Sequence, residues 1–235
     1  MSVSISFCIP MYNEENNIEL VLQDCIAFGE QNKLSYEIVI VNDCSTDSSL
    51  SILNRYKSQF NNIILVTNDR NLGCHPSVIR AFDAASSEWL VFLPSDRQIR
   101  SEIVLLASTL LDKSDLIATN RASRRDNMFR RLVSVSYNYI LRFLTGLRIR
   151  DFDSSVLIRK SMYGKIRPLL RENTASLSVE IAIQVKMRSG RIHEIEIPHY
   201  PRTSGIARGL NFRDILAVPS SLFRLRRIVQ PRKFL

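Results

Sequence analysis

Two carboxylates stand directly after apolar runs, and these positions are where the sequence could do chemistry. Residues 37–48 read EIVIVNDCSTDS and residues 89–99 read WLVFLPSDRQI, so the runs end near Asp43 and Asp96. A carboxylate only accepts hydrogen bonds, which suits Asp43 to a base or a ribose hydroxyl. Asp96, with an amide oxygen nearby at Gln98, suits a divalent cation that neutralises a diphosphate. One Asp after a strand is usually turn chemistry or a helix cap, but two at successive strand ends favour a binding site.

The elements that must position these carboxylates alternate between strand and helix. Continuous Val/Ile/Leu runs fit strands buried on both faces of a parallel sheet, beyond whose carboxyl ends ligands bind. We therefore expect both carboxylates at the lip of one pocket in a βαβ series. The predicted strands cover residues 3–9, 37–41, 63–66, 89–93 and 116–119, and helices at 14–28, 73–85 and 103–111 lie between them. One further helix, between the second and third strands, has Leu50, Leu53 and Tyr56 on one face and Ser45 or Thr46 as a cap. A basic helical stretch, a strand at 155–159, a helix at 176–187 and a strand at 191–200 follow and elaborate the same domain.

The composition indicates one globular domain without a disulfide framework. The chain has 235 residues, its four cysteines form no CxxC pair, and its three histidines match no zinc spacing. Reduced thiols in a cytosolic protein are therefore expected. The first ten residues have no basic region of a signal peptide, and no apolar stretch approaches the roughly 20 residues that a spanning helix needs. We therefore expect a protein that is neither secreted by a standard signal nor transmembrane.

The positive charge is concentrated in two segments. The net charge is +9, but residues 121–150 and residues 202–235 each carry +7, so the remainder of the chain is acidic. Both segments also have apolar residues at helical spacing, and a basic amphipathic helix is typical of contact with an anionic membrane surface. The alternative is that these helices bury their apolar faces against their own domain. Nucleic acid is not an expected partner, because no recognised nucleic-acid-binding motif is present.

The order of the motifs resembles that of a known family. The stretches 10–14 (PMYNE), 41–47 (VNDCSTD), 71–73 (NLG) and 95–98 (SDRQ) resemble the family 2 glycosyltransferases of GT-A fold. Among these the chain is most similar to the polyprenyl-phosphate branch, of dolichyl-phosphate mannose synthase type. Residues 120–121 (NR), 151–154 (DFDS), 194–198 (EIEIP) and 202–205 (RTSG) support that branch.

The resemblance implies a fold, a domain organisation and a reaction. The fold is an α/β GT-A three-layer sandwich with a mainly parallel mixed sheet, in which residues 1–205 form the catalytic domain. Residues 206–235 are expected to form a basic amphipathic helical segment that packs on the domain or the membrane surface. The implied reaction is the inverting transfer of a sugar from a nucleotide-diphosphate sugar to a polyprenyl (undecaprenyl or dolichyl) phosphate. It would take place at the cytoplasmic membrane face, with peripheral attachment.

The resemblance also implies a role for each motif residue. The first two strand ends would bind the nucleoside, the third motif would hold Mg²⁺ or Mn²⁺ with the diphosphate, and arginines would neutralise phosphates. The nucleotide-sugar-binding residues would be Pro10, Tyr12, Glu14, Val41, Asp43, Ser95, Asp96, Gln98, Arg121, Arg202 and Arg208. The metal ligands would be Asp96 and Gln98, and the catalytic residues Asp96, Arg202 and Asp151.

The chain departs from the family pattern at three places. Pro94 stands where the metal motif has its first Asp, so one carboxylate remains, and either metal binding is weaker or Gln98 and the diphosphate oxygens contribute more of the coordination. Asn42 replaces the first residue of an Asp-Asp pair. Ser155 and Val156 replace the Gly and Phe that follow the Asp151 motif.

Two other functions fit the same residues. A transferase acting on a hydroxyl of a lipid-linked oligosaccharide or surface polysaccharide precursor would need a general base, and Asp151 or Asp153 could serve, whereas a polyprenyl phosphate is already ionised and needs none. A nucleotide-sugar-binding protein that has lost catalysis is the alternative that Pro94 suggests. The sequence leaves the donor nucleotide, the sugar and the oligomeric state undetermined.

Overall fold

The fold is built on one mixed sheet, and the computed structural model describes residues 3–122, 128–171 and 176–201. Within these residues seven strands form the sheet in the order β3-β2-β1-β4-β6-β5-β7. The strands are β1 (Ser4–Met11), β2 (Ser35–Asn42), β3 (Ile63–Thr67), β4 (Trp89–Phe92), β5 (Leu116–Arg121), β6 (Val156–Arg159) and β7 (Ile192–Ile197).

The first four strands form the parallel half of the sheet. β1 pairs in parallel with β2 on one side and β4 on the other, and β3 pairs in parallel with β2. All residues of β1 after Ser4 are buried. A strand covered on both faces has no solvent side, which is why residues 7–11 are continuously apolar and the buried Ser6 donates its hydrogen bond to Glu37. The strands predicted from these runs are confirmed.

The second half of the sheet contains the antiparallel strand. β6 lies between β4 and β5 and is antiparallel to both, whereas β5 and β7 are parallel. The sheet is thus mainly parallel and mixed, as predicted. The last strand is shorter than the predicted 191–200, because β7 ends at Ile197 and the next residue, Pro198, has no N–H for the ladder.

Helices cover both faces of the sheet and make the three predicted layers. On one face, Val78, Phe82 and Ile181 pack in a core with the sheet, and on the other face Ile18 and Leu53 do so. The helices are α1 (Ile18–Gln31), α2 (Ser49–Gln59), α3 (Cys74–Ala84), α4 (Ile103–Ala107), α5 (Met128–Thr145), α6 (Lys160–Ile166) and α7 (Leu177–Met187), with 3-10 turns at Ser108–Lys113 and Arg167–Leu169. The predicted helix at 103–111 is therefore two shorter pieces.

Part of the predicted organisation concerns residues beyond this description. In the ranges that are described, no helix combines the length and the hydropathy needed to cross a bilayer. The predicted helical segment 206–235, the domain boundary at residue 205, and the phosphate-binding residues Arg202 and Arg208 lie outside the described residues. Those four assignments stay predictions.

Candidate active site

Side-chain hydrogen bonds join the loops that follow β1 and β2. The Asn13 N–H donates to Ser45 Oγ at 3.0 Å, and Asn13 Oδ1 accepts from the Thr46 N–H at 2.8 Å. The Glu14 N–H donates to Ser49 Oγ at 2.9 Å. Asn13 has φ 51°, a left-handed conformation that Asn tolerates better than most residues. Ser45 and Thr46 therefore bridge two loops instead of capping α2, and the prediction of a cap there is wrong.

The predicted nucleoside-binding residues lie partly in the strands and partly in the loop that follows β1. Pro10 and Val41 lie opposite each other in β1 and β2, and both are buried. Val41 has no exposed surface, so its side chain supports the strand end by packing, and its predicted contact with a nucleoside stays a prediction. Tyr12 and Glu14 lie in the loop beyond the strand and are partly exposed. Their predicted ligand contacts stay predictions.

The Asp43 carboxylate holds the loop between β3 and α3. Its Oδ1 accepts from the Asn68 side-chain amide at 2.7 Å and from the Leu72 N–H at 2.8 Å, and its Oδ2 accepts from the Gly73 N–H at 2.8 Å. Asp43 is only 3% exposed. A carboxylate offers about four lone-pair sites, so acceptor capacity for one further donor, such as a ribose hydroxyl, remains at Oδ2. The predicted nucleoside contact is therefore compatible with a structural role of the same group.

Asn68 is a site residue that the sequence did not reveal. It is 1% exposed, its amide also donates to Ser77 Oγ at 3.1 Å, and its Oδ1 accepts from Arg80 Nη1 at 2.8 Å. Asn68 thus links Asp43 to Ser77 and Arg80 of α3 by hydrogen bonds. A polar residue directly after β3 was the available signal, because Asn68 occupies the same place at its strand end that Asp43 occupies after β2.

The predicted metal motif forms a tight loop after β4. Asp96 Oδ1 accepts from the Gln98 N–H at 3.1 Å, and Arg97 between them has φ 63°, in the left-handed region. Ser95 is buried, whereas Asp96 and Gln98 are partly exposed. Among the described residues no three His, Cys, Asp or Glu side chains are grouped to hold a metal ion. The oxygen groups that this loop offers a cation are the Asp96 carboxylate and the Gln98 side-chain amide.

Cys74 shows that the two carboxylates share one region. Cys74 is the first residue of α3. It is exposed to solvent and lines a cleft. Desolvation in that cleft, together with the negative charges of Asp43 and Asp96, raises the pKa of the Cys74 thiol to about 12. Both charges influence one thiol, and β1 pairs in parallel with both β2 and β4, so Asp43 and Asp96 lie at the same edge of the sheet. Their position at the lip of one pocket stays a prediction.

Tyr200 clamps the metal-motif loop to the segment after β7. The Tyr200 N–H donates to the Gln98 carbonyl at 3.0 Å, and Tyr200 Oη donates to Glu102 Oε1 at 2.7 Å. The Arg100 guanidinium lies 4.0 Å from the centroid of the Tyr200 ring, within the range of a cation–π contact. The chain therefore leaves the described region beside Gln98, only two residues before Arg202.

Arg121 and Asp151 form a closely matched ion pair. Arg121 Nε and Nη2 donate to Asp151 Oδ2 and Oδ1 at 2.7 and 3.0 Å, and the two side chains are 16% and 6% exposed. Two of the five N–H donors of the guanidinium are used in this way, so the others retain the capacity to bind a phosphate. Asp151, which we predicted as catalytic, is occupied in orienting Arg121. Its role in the reaction stays a prediction.

A cavity of about 180 Å³ opens beside this ion pair. Its polar side includes His75, Asp153, Ser176 and Ser178, and Cys74 and five apolar side chains form the rest of the wall. Burial in the cleft and the nearby Asp151 charge raise the pKa of Asp153, while Arg121 and His75 oppose that shift. Val156, one of the departures from the family pattern, lies in the wall. The lining residues are Cys74, His75, Val78, Phe92, Asp153, Val156, Ser176, Leu177, Ser178 and Ile181.

Curated relatives align with most of this chain. An undecaprenyl-phosphate 4-deoxy-4-formamido-L-arabinose transferase from Photorhabdus laumondii is 29% identical over 203 residues, which are 86% of this chain and 61% of the relative. A protein of the same name from Serratia proteamaculans is 30% identical over the same shares. The chain therefore spans about three fifths of the length of these relatives.

Solved structures and a family model place the fold and the family. Glucosyl-3-phosphoglycerate synthase from Mycobacterium tuberculosis superposes with a TM-score of 0.71 at 16% identity, covering 98% of this chain and 81% of that one. A mannosyltransferase from Pyrobaculum calidifontis, solved with GDP-mannose and Mn²⁺, superposes with a TM-score of 0.64 at 17% identity over 95% and 63% of the two chains. The predicted GT-A fold is confirmed. The model of glycosyl transferase family 2 matches residues 6–169, and this chain belongs to that family.

Proposed function

We propose that the chain is the catalytic part of an inverting glycosyltransferase that moves a sugar from a nucleotide-diphosphate sugar to a polyprenyl phosphate. The observation that carries the proposal is the parallel pairing of β1 with both β2 and β4, which brings Asp43 and Asp96 to the same edge of the sheet. This is where a parallel α/β sheet binds nucleotides. The names of the curated relatives support undecaprenyl phosphate as the acceptor.

The chemistry of the acceptor fits the site. A polyprenyl phosphate oxygen is already ionised near neutral pH, so no general base is required. In the proposed step this oxygen forms a bond to the anomeric carbon as the bond from that carbon to the nucleoside diphosphate breaks, which inverts the configuration. Arg121, held at its angle by Asp151, has N–H donors to spare for a phosphate. The predicted phosphate contacts of Arg202 and Arg208 complete the proposal.

Mg²⁺ or Mn²⁺ is the proposed cofactor. The donor set fits a hard cation only in part, because the Asp96 carboxylate and the Gln98 amide are oxygen ligands but Pro94 supplies none. When bound, such a cation neutralises charge on the departing diphosphate. The Mn²⁺ complexes of the structurally similar glucosyl-3-phosphoglycerate synthase and mannosyltransferase support this assignment. The Tyr200 contacts would keep Gln98 in place for it.

We also propose that α5 rests on an anionic membrane surface at the cytoplasmic face. Phe143, Tyr139 and Val135 lie four residues apart along α5 and are 82%, 68% and 55% exposed, which leaves an apolar stripe open to the surroundings. Arg148 follows the helix and is exposed. Each basic residue near such a surface contributes about 1 kcal/mol of attraction. The unpaired state of all four cysteines suits the reducing cytoplasm.

A second function is favoured by one observation, the position of Asp153 in the lining of the cavity. A carboxylate there could deprotonate a hydroxyl, as transfer to a lipid-linked oligosaccharide or polysaccharide precursor would require. The two functions differ in product. A sugar phosphodiester of a polyprenol is cleaved by mild acid, whereas a glycosidic product survives it.

The test of function incubates purified protein and undecaprenyl-phosphate vesicles with labelled UDP- and GDP-sugars and Mg²⁺ or Mn²⁺. We expect a mild-acid-labile phosphoglycolipid from one donor. Asp96→Asn should abolish its formation because it removes the carboxylate of the metal motif, whereas Asp112→Asn, at an exposed position on the 3-10 turn, should not. No product with any donor, or full activity of Asp96→Asn, would contradict the proposal.

The test of membrane contact measures sedimentation with phosphatidylglycerol vesicles and with neutral vesicles. Phe143→Ser should reduce binding to the anionic vesicles about tenfold, because it removes the most exposed apolar side chain of the stripe. Leu105→Ser is the matched control, since Leu105 is 59% exposed on α4. Equal losses for the two variants would refute a role specific to α5.

A further inference from the structure

Arg97 lies at the centre of the metal-motif loop, between the two predicted metal ligands. The loop turns at this residue, since Asp96 Oδ1 accepts from the Gln98 N–H at 3.1 Å and Arg97 has φ 63°. A glycine would adopt this left-handed conformation without steric cost, whereas for an arginine it is strained. Strained backbone of this kind is concentrated at active sites, so the presence of an arginine here points to a use of its side chain.

The Arg97 guanidinium has no partner among the residues that the structure describes. No hydrogen bond, ion pair or ring contact joins its side chain to another residue of those ranges. Of the other arginines with described side chains, Arg70, Arg148 and Arg171 also lack such contacts, but these three are exposed to solvent whereas Arg97 is partly buried. Burial of a charge without a bonded counter-charge is unfavourable, so this guanidinium suits a site that an anion completes.

The charges of the loop differ from those of the family pattern. A motif with two Asp carries two negative charges, which attract a cation and repel a diphosphate until that cation lies between them. In this chain Pro94 takes the place of the first Asp, and the charge of Arg97 balances that of Asp96. Arg100 adds a further positive charge, which lies over the Tyr200 ring. The loop therefore attracts a cation less strongly than a two-Asp motif does, and it does not repel a diphosphate.

The place of the loop limits the anion that Arg97 can bind. The loop follows the carboxyl end of β4, at the edge of the sheet where α/β proteins bind nucleotides. Asp43 lies at the same edge, but its negative charge is already shared among hydrogen bonds from Asn68, Leu72 and Gly73. A guanidinium stays charged and binds two phosphate oxygens at once, so the diphosphate of a nucleotide sugar is the ligand whose chemistry fits.

We propose that Arg97 binds the diphosphate of the donor and supplies part of the positive charge that a two-Asp motif obtains from its cation. The nucleotide then binds this chain with reduced dependence on Mg²⁺ or Mn²⁺, while the cation keeps its proposed part in the transfer step. This inference rests on the proposed glycosyltransferase function. It assigns a role to a residue outside the predicted metal-binding and nucleotide-sugar-binding sets.

The experiment measures nucleotide binding by calorimetry in EDTA and in Mg²⁺. The probes are UDP and UMP, with GDP and GMP as the second series. In EDTA the wild type should bind one diphosphate more tightly than the matching monophosphate. Arg97→Gly should lose roughly tenfold or more of the affinity for that diphosphate in EDTA, the loss expected when a hydrogen bond to a charged group is removed. Mg²⁺ should tighten diphosphate binding more in Arg97→Gly than in the wild type, because the variant has only the cation to neutralise the ligand at this loop.

Matched variants separate the guanidinium from the backbone and from the net charge. Glycine relieves the left-handed strain, so the denaturant midpoint of Arg97→Gly should not fall, and a lower midpoint would contradict the strain that motivates the inference. Arg97→Lys keeps the charge but not the paired N–H donors, and its diphosphate affinity should lie between those of the wild type and Arg97→Gly. Lys57→Ala removes an exposed positive charge from the last turn of α2, away from the strand ends where that helix begins, and should bind as the wild type does.

The outcomes distinguish this inference from the proposed function. If neither UDP nor GDP binds in EDTA or in Mg²⁺, the proposed function fails. If a nucleotide binds only with Mg²⁺, or if Arg97→Gly leaves the diphosphate affinity in EDTA unchanged, the inference is refuted while the function stands. An equal loss in Lys57→Ala would also refute it, because the effect would then belong to the net charge. Reduced sugar transfer by Arg97→Gly with unchanged diphosphate affinity would refute it as well and assign Arg97 to the acceptor phosphate.

Discussion

Asp43→Asn should destabilise the fold itself, and this prediction follows from the hydrogen bonds of the carboxylate. Asp43 Oδ1 accepts from Asn68 and Leu72, and Oδ2 accepts from Gly73, at 2.7–2.8 Å. The substitution places an NH₂ group at one of the two oxygen positions. In the less costly orientation it faces the Gly73 N–H, so one hydrogen bond is lost, the NH₂ group and the Gly73 N–H oppose each other as donors without an acceptor, and the other two bonds become neutral. Hydrogen bonds to charged groups contribute about 1.5–3 kcal/mol each, so we expect a loss of about 3 kcal/mol.

Denaturant unfolding followed by circular dichroism measures this loss as the change in the free energy of unfolding, obtained by linear extrapolation. The matched control is Asp69→Asn in the same loop, where the side chain is exposed and a change within about 0.5 kcal/mol is expected. A binding measurement with UDP and GDP accompanies it. If Asp43→Asn changes stability by less than about 1 kcal/mol and only nucleotide affinity falls, Asp43 is a ligand contact and not a support of the loop.

Three other changes test neighbouring parts of the structure. Tyr200→Phe removes the hydrogen bond to Glu102 and should lower the free energy of unfolding by about 1 kcal/mol, whereas Tyr200→Ala also removes the cation–π contact and should lower it by about 2 kcal/mol; equal losses in denaturant unfolding would contradict the clamp. Cys74 should react with iodoacetamide at pH 8 at least about a hundredfold more slowly than in the unfolded chain, because the pKa of its thiol is raised to about 12. Labelling followed by mass spectrometry measures this rate, and a rapid reaction would refute the prediction. Burial acts to raise the pKa of Glu37, but hydrogen bonds from Ser6 and from residues 86–87 outweigh it and lower that pKa from 4.5. The stabilising effect of Glu37 should therefore be complete above about pH 4.5 and be lost as the pH falls through the lower pKa of the folded state. Glu37→Gln should flatten this loss of stability in acid unfolding curves, and an unchanged loss would exclude the role of Glu37.

The sequence was sufficient to predict the parallel half of the sheet and the place of the site. The buried parts of β1, β2 and β4 are mostly apolar, because a strand covered on both faces has no side in contact with solvent. Because parallel strands bring their carboxyl ends to one edge, Asp43 and Asp96 could be assigned to a common lip from their positions alone. These inferences depend on local patterns, which can be read from residues that are adjacent in the sequence.

Other features of the site could not be predicted, because they depend on contacts between distant residues. The bonds from Asn68 and Gly73 to Asp43 join residues 25 and 30 positions apart, and the Arg121–Asp151 pair joins residues 30 apart. No local pattern distinguishes a buried, paired Arg from a solvated one. The same limit explains why the predicted cap at Ser45 or Thr46 was wrong.

The sequence by itself therefore determined which segments form strands, where polar chemistry follows them, and which family the motif order resembles. Only the tertiary structure decided what each polar group is bonded to. It showed that Asp43 supports a loop, that Asp151 orients Arg121, and that His75 and Asp153, 78 positions apart, face one cavity. The physical reason is that burial, hydrogen bonding and charge are set by the neighbours that the folded chain brings together, and those neighbours are not adjacent in the sequence.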